Sequence, residues 1–205
     1  MKKSYKVAHA MLAWLVKLIF RVHVTGLENE PTEGGILLCS NHVTLIDPIC
    51  ICAVLKKTEP LFMAKKELFK VPILRHIIRA FGAYPVNRGA GDIGAVRKTI
   101  ELLKEGNCTG IFPQGTRCKG KTLEETKFKT GAALVLIKSG VPALPVRVKI
   151  KNNRWRFLRR IDIVIGKPIT TEEIAFDPEK PRNEETERIT DLLFARISEL
   201  GGDEK

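Results

Sequence analysis

The fold is decided by the stretch Gly35-Ile36-Leu37-Leu38-Cys39-Ser40-Asn41-His42-Val43-Thr44-Leu45-Ile46-Asp47-Pro48. It opens with an apolar run, which is typical of a buried strand. It closes with Asp47-Pro48, which is typical of a helix start with Asp at the N-cap and Pro at the first helical position. The stretch therefore predicts a strand that turns directly into a helix.

His42 and Asp47 lie five positions apart in this turn. Neutral imidazole accepts a proton near pH 7, and a carboxylate bonded to its other ring nitrogen fixes the tautomer and stabilises the imidazolium. The pair is therefore a candidate general base with its orienting partner, and it needs no serine or cysteine nucleophile. A purely structural interpretation stays open, in which His42 ends a strand and Asp47 caps a helix. The two interpretations are compatible.

The alternation of strands and helices continues along the chain. Predicted strands are Arg21–Thr25, Gly35–Ser40, Leu61–Ala64, Ala83–Val86, Thr109–Phe112, Val141–Ile150 and Ile161–Ile165; predicted helices are 5–20, 48–56, 72–80, 91–105, 127–139 and 184–199. This pattern predicts an α/β sandwich, with a mixed, mostly parallel sheet flanked by helices. Active sites in such sheets gather beyond the carboxyl ends of the strands, which is where His42 falls.

Three basic residues also follow predicted strands: Lys65, Arg88 and Arg117. The planar fork of arginine binds a phosphate with two hydrogen bonds, and lysine adds a point charge. Gly115 allows backbone amides to approach an anion, and Thr116 offers a hydroxyl. Any one of these bases could be a solvated loop residue. Three at neighbouring strand ends favour a phosphate-binding site.

The net charge of +12 is unevenly distributed. Residues 1–21 carry five bases and no acid, and residues 147–160 carry seven bases and no acid. Residues 171–205 carry eleven acids and five bases, so the positive charge is concentrated before them. This bias predicts an anionic partner: a nucleic acid, a phosphorylated metabolite or an acidic lipid surface.

The five cysteines predict a reduced, cytosol-facing protein, because their number is odd and no Cys-x-x-Cys pair occurs. Four of them, Cys39, Cys50, Cys52 and Cys108, lie in or beside apolar runs and are expected to be buried. Four dispersed histidines without paired ligand spacing argue against a zinc site.

The amino-terminal residues 5–20 predict a helix whose uninterrupted apolar run, Ala10–Val16, is too short for a bilayer span of roughly 20 residues. One interpretation is an interfacial helix that buries Trp14 and Phe20 in a membrane and keeps its lysines among the headgroups. The other is a first helix that packs on the core. We expect a domain division into residues 1–21 and 22–205.

The chain resembles the glycerolipid acyltransferase family, and within it the bacterial enzymes that acylate 1-acyl-sn-glycerol-3-phosphate. The matching blocks, in family order, are Asn41 with His42 to Asp47, Gly82 to Arg88, Phe112-Pro113-Gln114-Gly115-Thr116-Arg117, and Val141-Pro142-Ala143-Leu144-Pro145-Val146. The segment Lys65-Lys66-Glu67-Leu68 also resembles a family segment. The resemblance covers about residues 20–170, and the ordered set is far more specific than any single block.

This resemblance implies acyl transfer from a thioester to the free hydroxyl of lysophosphatidic acid, giving phosphatidic acid. His42 would be the general base, oriented by Asp47. Arg88 and Arg117, with Lys65, would hold the phosphate of the acceptor. The acyl donor would be the thioester of acyl-carrier protein or of coenzyme A. Neither a metal nor another cofactor would take part. The family also implies a peripheral or monotopic protein on the cytoplasmic face of the cell membrane, docked through its amino-terminal helix on anionic lipid.

The sequence departs from the family pattern at two positions: Gln114 stands where Glu is usual, and Cys118 where Ser is common. Glutamine keeps the shape and hydrogen-bonding reach of glutamate but lacks its charge. Backbone amides near Gly115 are the expected donors to a tetrahedral oxyanion.

Three alternatives remain. A nucleic-acid-binding module is suggested by the basic stretch 147–160, which includes Trp155 and Phe157, although it carries no recognised binding motif. A Cys-His thioesterase would use Cys118 with His42. Within the family, the acceptor could be another lysolipid or glycerol phosphate.

Overall fold

The computed structural model describes residues 3–86, 93–154 and 159–202. The helices are α1 (Lys3–Phe20), α2 (Asp47–Val54), α3 (Pro72–Ala80), α4 (Ile93–Lys104), α5 (Gly131–Ser139) and α6 (Arg182–Glu199). The strands are β1 (Val22–Thr25), β2 (Ile36–Ser40), β3 (Leu61–Lys65), β4 (Tyr84–Val86), β5 (Cys108–Ile111), β6 (Ala143–Ile150) and β7 (Ile161–Ile165). The alternation of strands and helices expected from the sequence is therefore present.

The strands form one seven-stranded sheet in the order β1-β7-β6-β2-β5-β3-β4. β6 and β7 pair antiparallel, and the other described pairs are parallel. The predicted mixed, mostly parallel sheet is confirmed. Because β2, β5 and β3 are parallel neighbours, their carboxyl ends share one edge, which carries His42, Arg117 and Lys65. Arg88, expected at the same edge, lies outside the described residues.

The sheet is covered on both faces, as its apolar strands predict. On one face, α1 and α2 cover a core that includes Leu38, Ile51 and Ile163. On the other face, α4, α5 and α6 cover a core that includes Leu37, Leu136 and Leu193. All five side chains of β2 are buried, which makes it the central strand of both cores. The predicted burial of Cys39, Cys50, Cys52 and Cys108 is confirmed.

Two predicted boundaries differ from the structure for identifiable reasons. The helix expected over 127–139 begins only at Gly131, because the Lys129 amide donates to the Pro113 carbonyl, 2.8 Å away, and ties this segment to the loop after β5. The strand expected from Val141 begins at Ala143. Pro142 precedes it, and its carbonyl accepts the Leu37 amide of β2 at 3.0 Å.

α1 combines features of both interpretations of the amino terminus. Ala13 and Val16 are buried in the core, and Phe20 packs against it half-buried, so Phe20 does not share the exposed face with Trp14. Met11, Trp14 and Leu18 are exposed by 70%, 66% and 60%. Within residues 3–86, 93–154 and 159–202, no helix has the length and apolar character needed to cross a bilayer. The division at residue 21 stays a prediction.

Candidate active site

The structure brings His42 and Asp47 together in the turn between β2 and α2. His42 Nδ1 lies 2.9 Å from Asp47 Oδ2, and both residues are buried, with exposed fractions of 8% and 0%. Asp47 Oδ2 also accepts the amides of Val43 and Thr44, each at 2.7 Å, and Oδ1 accepts the Thr44 hydroxyl at 2.5 Å. The carboxylate is therefore held in place by the whole turn that it closes.

The expected N-cap role of Asp47 is wrong. α2 begins at Asp47, and the N-cap is Ile46, whose carbonyl accepts the Cys50 amide at 2.9 Å. The carboxylate points back to the preceding loop because four donors there compete for it. Its charge still lies in the first turn of α2, where a negative charge is favourable. Pro48 is in that first turn, as predicted.

Asn41 fixes the chain immediately before the histidine. Its side chain is buried, and it donates to the Val148 carbonyl at 2.8 Å and accepts the Val148 amide at 2.7 Å. The side-chain amide thereby acts like one more backbone unit in the β2–β6 pairing, which ends at Ser40 opposite Val146. The position next to His42 is rigid as a result.

The loop 112–118 after β5 holds His42 from the other side. The Phe112 ring stacks on the imidazole, with ring centroids 4.0 Å apart. Gln114 Oε1 accepts the His42 amide at 2.6 Å, and the Cys118 amide donates to the His42 carbonyl at 2.8 Å. Both backbone hydrogen-bonding groups of the histidine are thus satisfied by one neighbouring loop.

One ring nitrogen, Nε2 of His42, makes no hydrogen bond to any residue in the described part of the chain. His42 lines a cavity of about 380 Å³ whose other walls are mainly apolar. The lining includes Ile46, Ile49, Met63, Leu74, Ile78 and Phe81. Lys65 and Arg117 also line it, and both are exposed. A potential base, two cations and an apolar volume therefore meet at one opening.

The structure brings Lys65, Gly115, Thr116 and Arg117 to the expected edge of the sheet, all exposed. Lys65 and Arg117 have no ion-pair partner among the residues that the structure describes. Gly115 has φ +70°, a conformation that favours glycine. Its own amide donates to the Phe112 carbonyl at 2.9 Å, so an oxyanion donor near Gly115 has to come from a neighbouring amide. The amides of Thr116 and Arg117 make no hydrogen bond within the described chain.

Lys129 is a cation that the sequence argument missed. The far end of its exposed side chain lies 3.2–3.3 Å from where a Cβ on Gly115 would be. The signal was weak because Lys129 belongs to no matched block and falls inside a predicted helix. Its position follows from the backbone bond to Pro113, which brings a distant segment against the 112–118 loop.

Gly82, the first residue of the second block, has a steric role. Its φ is +67°, and a Cβ there would lie 2.5 Å from Leu61 Cδ2 of β3. Glycine at this position lets the chain turn tightly into β4 beneath the end of α3. The last residue of that block, Arg88, is outside the described residues.

Cys118 lies beside the candidate base through its backbone rather than its thiol. Burial raises the pKa of the Cys118 thiol above its usual range, and the nearby Lys121 opposes this only in part. The thiol points to the Thr116 carbonyl at 3.8 Å. A mostly protonated thiol is a poor nucleophile, which argues against the thioesterase alternative. In the described ranges no group of three or more His, Cys, Asp or Glu residues could hold a metal ion.

The basic stretch 147–160 does not form one free surface. Arg147 is buried, with an exposed fraction of 3%. Arg159 donates to the carbonyls of Lys151 and Arg154, at 2.8 and 2.9 Å. Trp155 and Phe157, on which the nucleic-acid alternative rested, lie outside the described residues.

Comparison with known proteins gives the same family as the sequence blocks. The family model described as Acyltransferase matches residues 21–149. A 1-acyl-sn-glycerol-3-phosphate acyltransferase of Bacillus subtilis is 29% identical over 96% of both chains. A protein of the same name from Borreliella burgdorferi is 30% identical over 68% of this chain and 55% of its own length.

The fold agrees with a solved structure of the same kind. The crystal structure of the 1-acyl-sn-glycerophosphate (LPA) acyltransferase PlsC from Thermotoga maritima superposes with a TM-score of 0.69. The match has 26% sequence identity and covers 99% of this chain and 80% of that one. With a matching family model over more than half of its length, the chain belongs to the acyltransferase family.

Proposed function

We propose that this protein transfers an acyl group from an acyl thioester to the 2-hydroxyl of 1-acyl-sn-glycerol-3-phosphate, which gives phosphatidic acid. The observation that carries the proposal is that His42 Nε2, which has no hydrogen-bond partner among the described residues, lies at a mainly apolar cavity that Lys65 and Arg117 also line. The names of the relatives in Bacillus subtilis and Thermotoga maritima support the same acceptor. Acyl-carrier protein or coenzyme A carries the acyl group, and no further cofactor takes part.

In this mechanism His42 Nε2 removes the proton of the acceptor hydroxyl as its oxygen attacks the thioester carbonyl. Collapse of the tetrahedral intermediate breaks the carbon–sulfur bond and leaves the new ester. The imidazolium then gives its proton to the departing thiolate, which leaves as the free thiol. Asp47 stabilises the transient imidazolium, and its fixed position keeps the other ring nitrogen protonated. The acyl group passes directly between substrates.

The charged parts of the substrates are assigned to the exposed side of the site. Lys65, Arg88 and Arg117 bind the acceptor phosphate, and the Thr116 hydroxyl adds a donor. The amides of Thr116 and Arg117, which make no hydrogen bond to any described residue, stabilise the oxyanion, whereas that of Gly115 is already bonded to Phe112. The cavity walls are apolar, so the cavity is suited to an acyl chain.

The substrate is a membrane lipid, and α1 is suited to reach it. Its exposed Met11, Trp14 and Leu18 form an apolar face on a basic segment, which favours attachment to anionic bilayers. We place the protein peripherally at the cytoplasmic face of the cell membrane. Replacing Trp14 by Ser should reduce sedimentation with phosphatidylglycerol vesicles, while Trp14→Phe retains most of it. Equal sedimentation of both variants would contradict this role of α1.

The activity test uses the purified protein with lysophosphatidic acid and a panel of acyl-coenzyme A and acyl-carrier-protein donors. Phosphatidic acid and free thiol should appear in equal amounts. His42→Ala should lower the rate about 10²–10⁴-fold, as expected for loss of a general base. A near-normal rate for His42→Ala would exclude the mechanism. Acylation of a different lysolipid, with none of lysophosphatidic acid, would exclude the acceptor.

A further inference from the structure

Gln114 is the residue at which this chain departs from the family pattern, and its side chain is almost completely used within the protein. It is exposed by only 5%. Its Oε1 accepts the His42 amide at 2.6 Å, and its Nε2 donates to Thr126 Oγ1 at 2.8 Å. The Thr126 hydroxyl in turn donates to the Leu123 carbonyl at 2.7 Å. Leu123, Thr126 and Gln114 thus form a chain of hydrogen bonds that ends on the main chain of His42.

The direction of each bond in this chain is determined by chemistry. A backbone amide can only donate, so the atom of residue 114 that faces His42 must be an acceptor. The single proton of the Thr126 hydroxyl is committed to the Leu123 carbonyl, so Oγ1 must accept from residue 114. The position therefore requires one acceptor and one donor, which is what a glutamine amide supplies. A carboxylate would satisfy the first requirement only.

We infer that Gln114 is a positioning residue, which sets the main chain of His42 and through it the place of the imidazole. It is not a ligand of the acceptor phosphate, although it stands between Pro113 and Gly115 in the loop that provides such ligands. Both ends of its amide already have protein partners, and the side chain is buried, so it presents no free group to a substrate. Thr126 orients the amide from behind.

This inference rests on the proposed role of His42 as base. The contact matters because Gln114 and Cys118 hold the two backbone groups of the histidine, and the imidazole follows its own backbone. A displacement of about 1 Å in a reacting group can cost about 10²-fold in rate, even when binding is unchanged. The expected signature is therefore a lower kcat with an unchanged KM for the acceptor.

The test compares steady-state kinetics of wild type, Gln114→Met and Arg117→Ala. Methionine matches the length of glutamine, but it has a methyl group at the end of the side chain where Oε1 accepts the His42 amide, and its thioether sulfur is only a weak acceptor. Gln114→Met should lower kcat about 10–100-fold and leave the KM for lysophosphatidic acid within about 3-fold. Arg117→Ala should do the opposite: it should raise the KM for lysophosphatidic acid and leave kcat nearly unchanged. A raised KM with normal kcat in Gln114→Met would overturn the inference.

Thr126 supplies a milder and independent test, which also applies if Gln114→Met does not fold. Thr126→Val keeps the shape but removes the acceptor for the glutamine amide, whereas Thr126→Ser keeps it. Valine should lower kcat about 3–10-fold at constant KM, and serine should restore it. Equal kcat in the two variants would overturn the role of the chain of hydrogen bonds.

The His42→Ala variant separates this inference from the proposed function. If His42→Ala loses activity and Gln114→Met keeps full kcat, the general base stands and the positioning role of Gln114 falls. If His42→Ala stays active, the proposed mechanism itself fails. A lower kcat in Gln114→Met could then not be explained by a displaced base, and the inference would fall with the mechanism. A combined Gln114→Met and Thr126→Val variant should be no slower than Gln114→Met alone, because both act on one contact.

Discussion

The two halves of the candidate active site are built in opposite ways. The His42–Asp47 half is buried, and five hydrogen bonds and one ring contact from the surrounding turn and loop hold the pair in place. The Lys65–Arg117 half is exposed, and neither cation has an ion-pair partner in the described parts of the chain. The proposed base is therefore positioned before any substrate arrives, whereas the two cations have no counter-charge among the described residues that a bound anion would have to displace.

This difference agrees with what each half does in the proposed mechanism. A proton transfer requires a fixed distance and tautomer, so the cost of ordering the groups is met during folding. A phosphate arrives with its own charge and several acceptors, and flexible exposed cations can close around it. Substitutions in the buried half should therefore change kcat and stability, and those in the exposed half should change mainly the affinity for the acceptor.

The largest effect is expected for Asp47→Asn. An asparagine oxygen can occupy the place of Oδ2 and accept the same amides, while its NH₂ group donates to the Thr44 hydroxyl, so the turn should persist. What is lost is the negative charge that stabilises the imidazolium. We expect kcat to fall about 10²–10⁴-fold. Kinetics with lysophosphatidic acid measure this directly.

Thermal unfolding of the same variant tests whether charge and structure are separable. A melting temperature within a few degrees of wild type, with kcat strongly reduced, supports the electrostatic role of Asp47. Asp47→Ala is the contrasting variant, because it leaves all four donors of the turn without their acceptor and should also unfold at a lower temperature. A normal kcat in Asp47→Asn would remove the carboxylate from the mechanism.

Arg117 is the corresponding test of the exposed half. Arg117→Ala should raise the KM for the acceptor about 10–100-fold, since a charged bidentate contact with phosphate is lost. Its kcat should stay within about 3-fold, and its free energy of unfolding within about 0.5 kcal/mol. Arg117→Lys keeps the charge but not the planar guanidinium group, so its KM for the acceptor should lie between those of wild type and Arg117→Ala. A changed melting temperature with an unchanged KM would contradict this, because Arg117 would then stabilise the fold, as the buried half does, and not bind the acceptor.

The sequence predicted the buried half well because its signals are local. The apolar run through Cys39 and the Asp47-Pro48 pair define a strand, a turn and a helix, and five residues are enough to bring His42 back to Asp47. Parallel strands then place Lys65 and Arg117 at the same edge by topology alone. The family blocks added the chemistry that we propose for these positions.

What the sequence could not give are contacts between distant segments. Gln114 reaches Thr126 and the main chain of His42, Asn41 bonds Val148, and Lys129 lies over Gly115; each contact depends on a chain path rather than a pattern. The N-cap assignment of Asp47 failed for a related reason. The rule for helix starts considers only the adjacent residues in sequence. The Asp47 carboxylate instead accepts four hydrogen bonds from residues 42–44 in the preceding loop.

Thr44 tests how much the outer bonds of the buried half contribute. Thr44→Val removes the hydroxyl that donates to Asp47 Oδ1 and that accepts the Ile46 amide at 3.2 Å. We expect a loss of about 1–2 kcal/mol in the free energy of unfolding and a reduction of kcat about 3–10-fold. Thr44→Ser is the matched control and should behave as wild type. A stable Thr44→Val protein with full kcat would show that the loop amides alone hold Asp47.

The smallest effect should come from Cys118, although it touches His42. Its contribution is the backbone amide, which every residue except proline supplies, so Cys118→Ser should keep kcat and KM within about 2-fold of wild type. Burial raises the pKa of the thiol, so the folded state carries less thiolate between neutral pH and about pH 9 than an ordinary cysteine does. Alkylation by iodoacetamide should therefore be slow at pH 7.5 and accelerate as the pH rises past the usual cysteine range. The same shift means that this thiol favours the folded state fully below its ordinary pKa and loses that contribution as the pH rises through its raised pKa.

Fast alkylation at neutral pH, together with an inactive Cys118→Ser variant, would contradict both expectations and would indicate that the thiol takes part in the reaction.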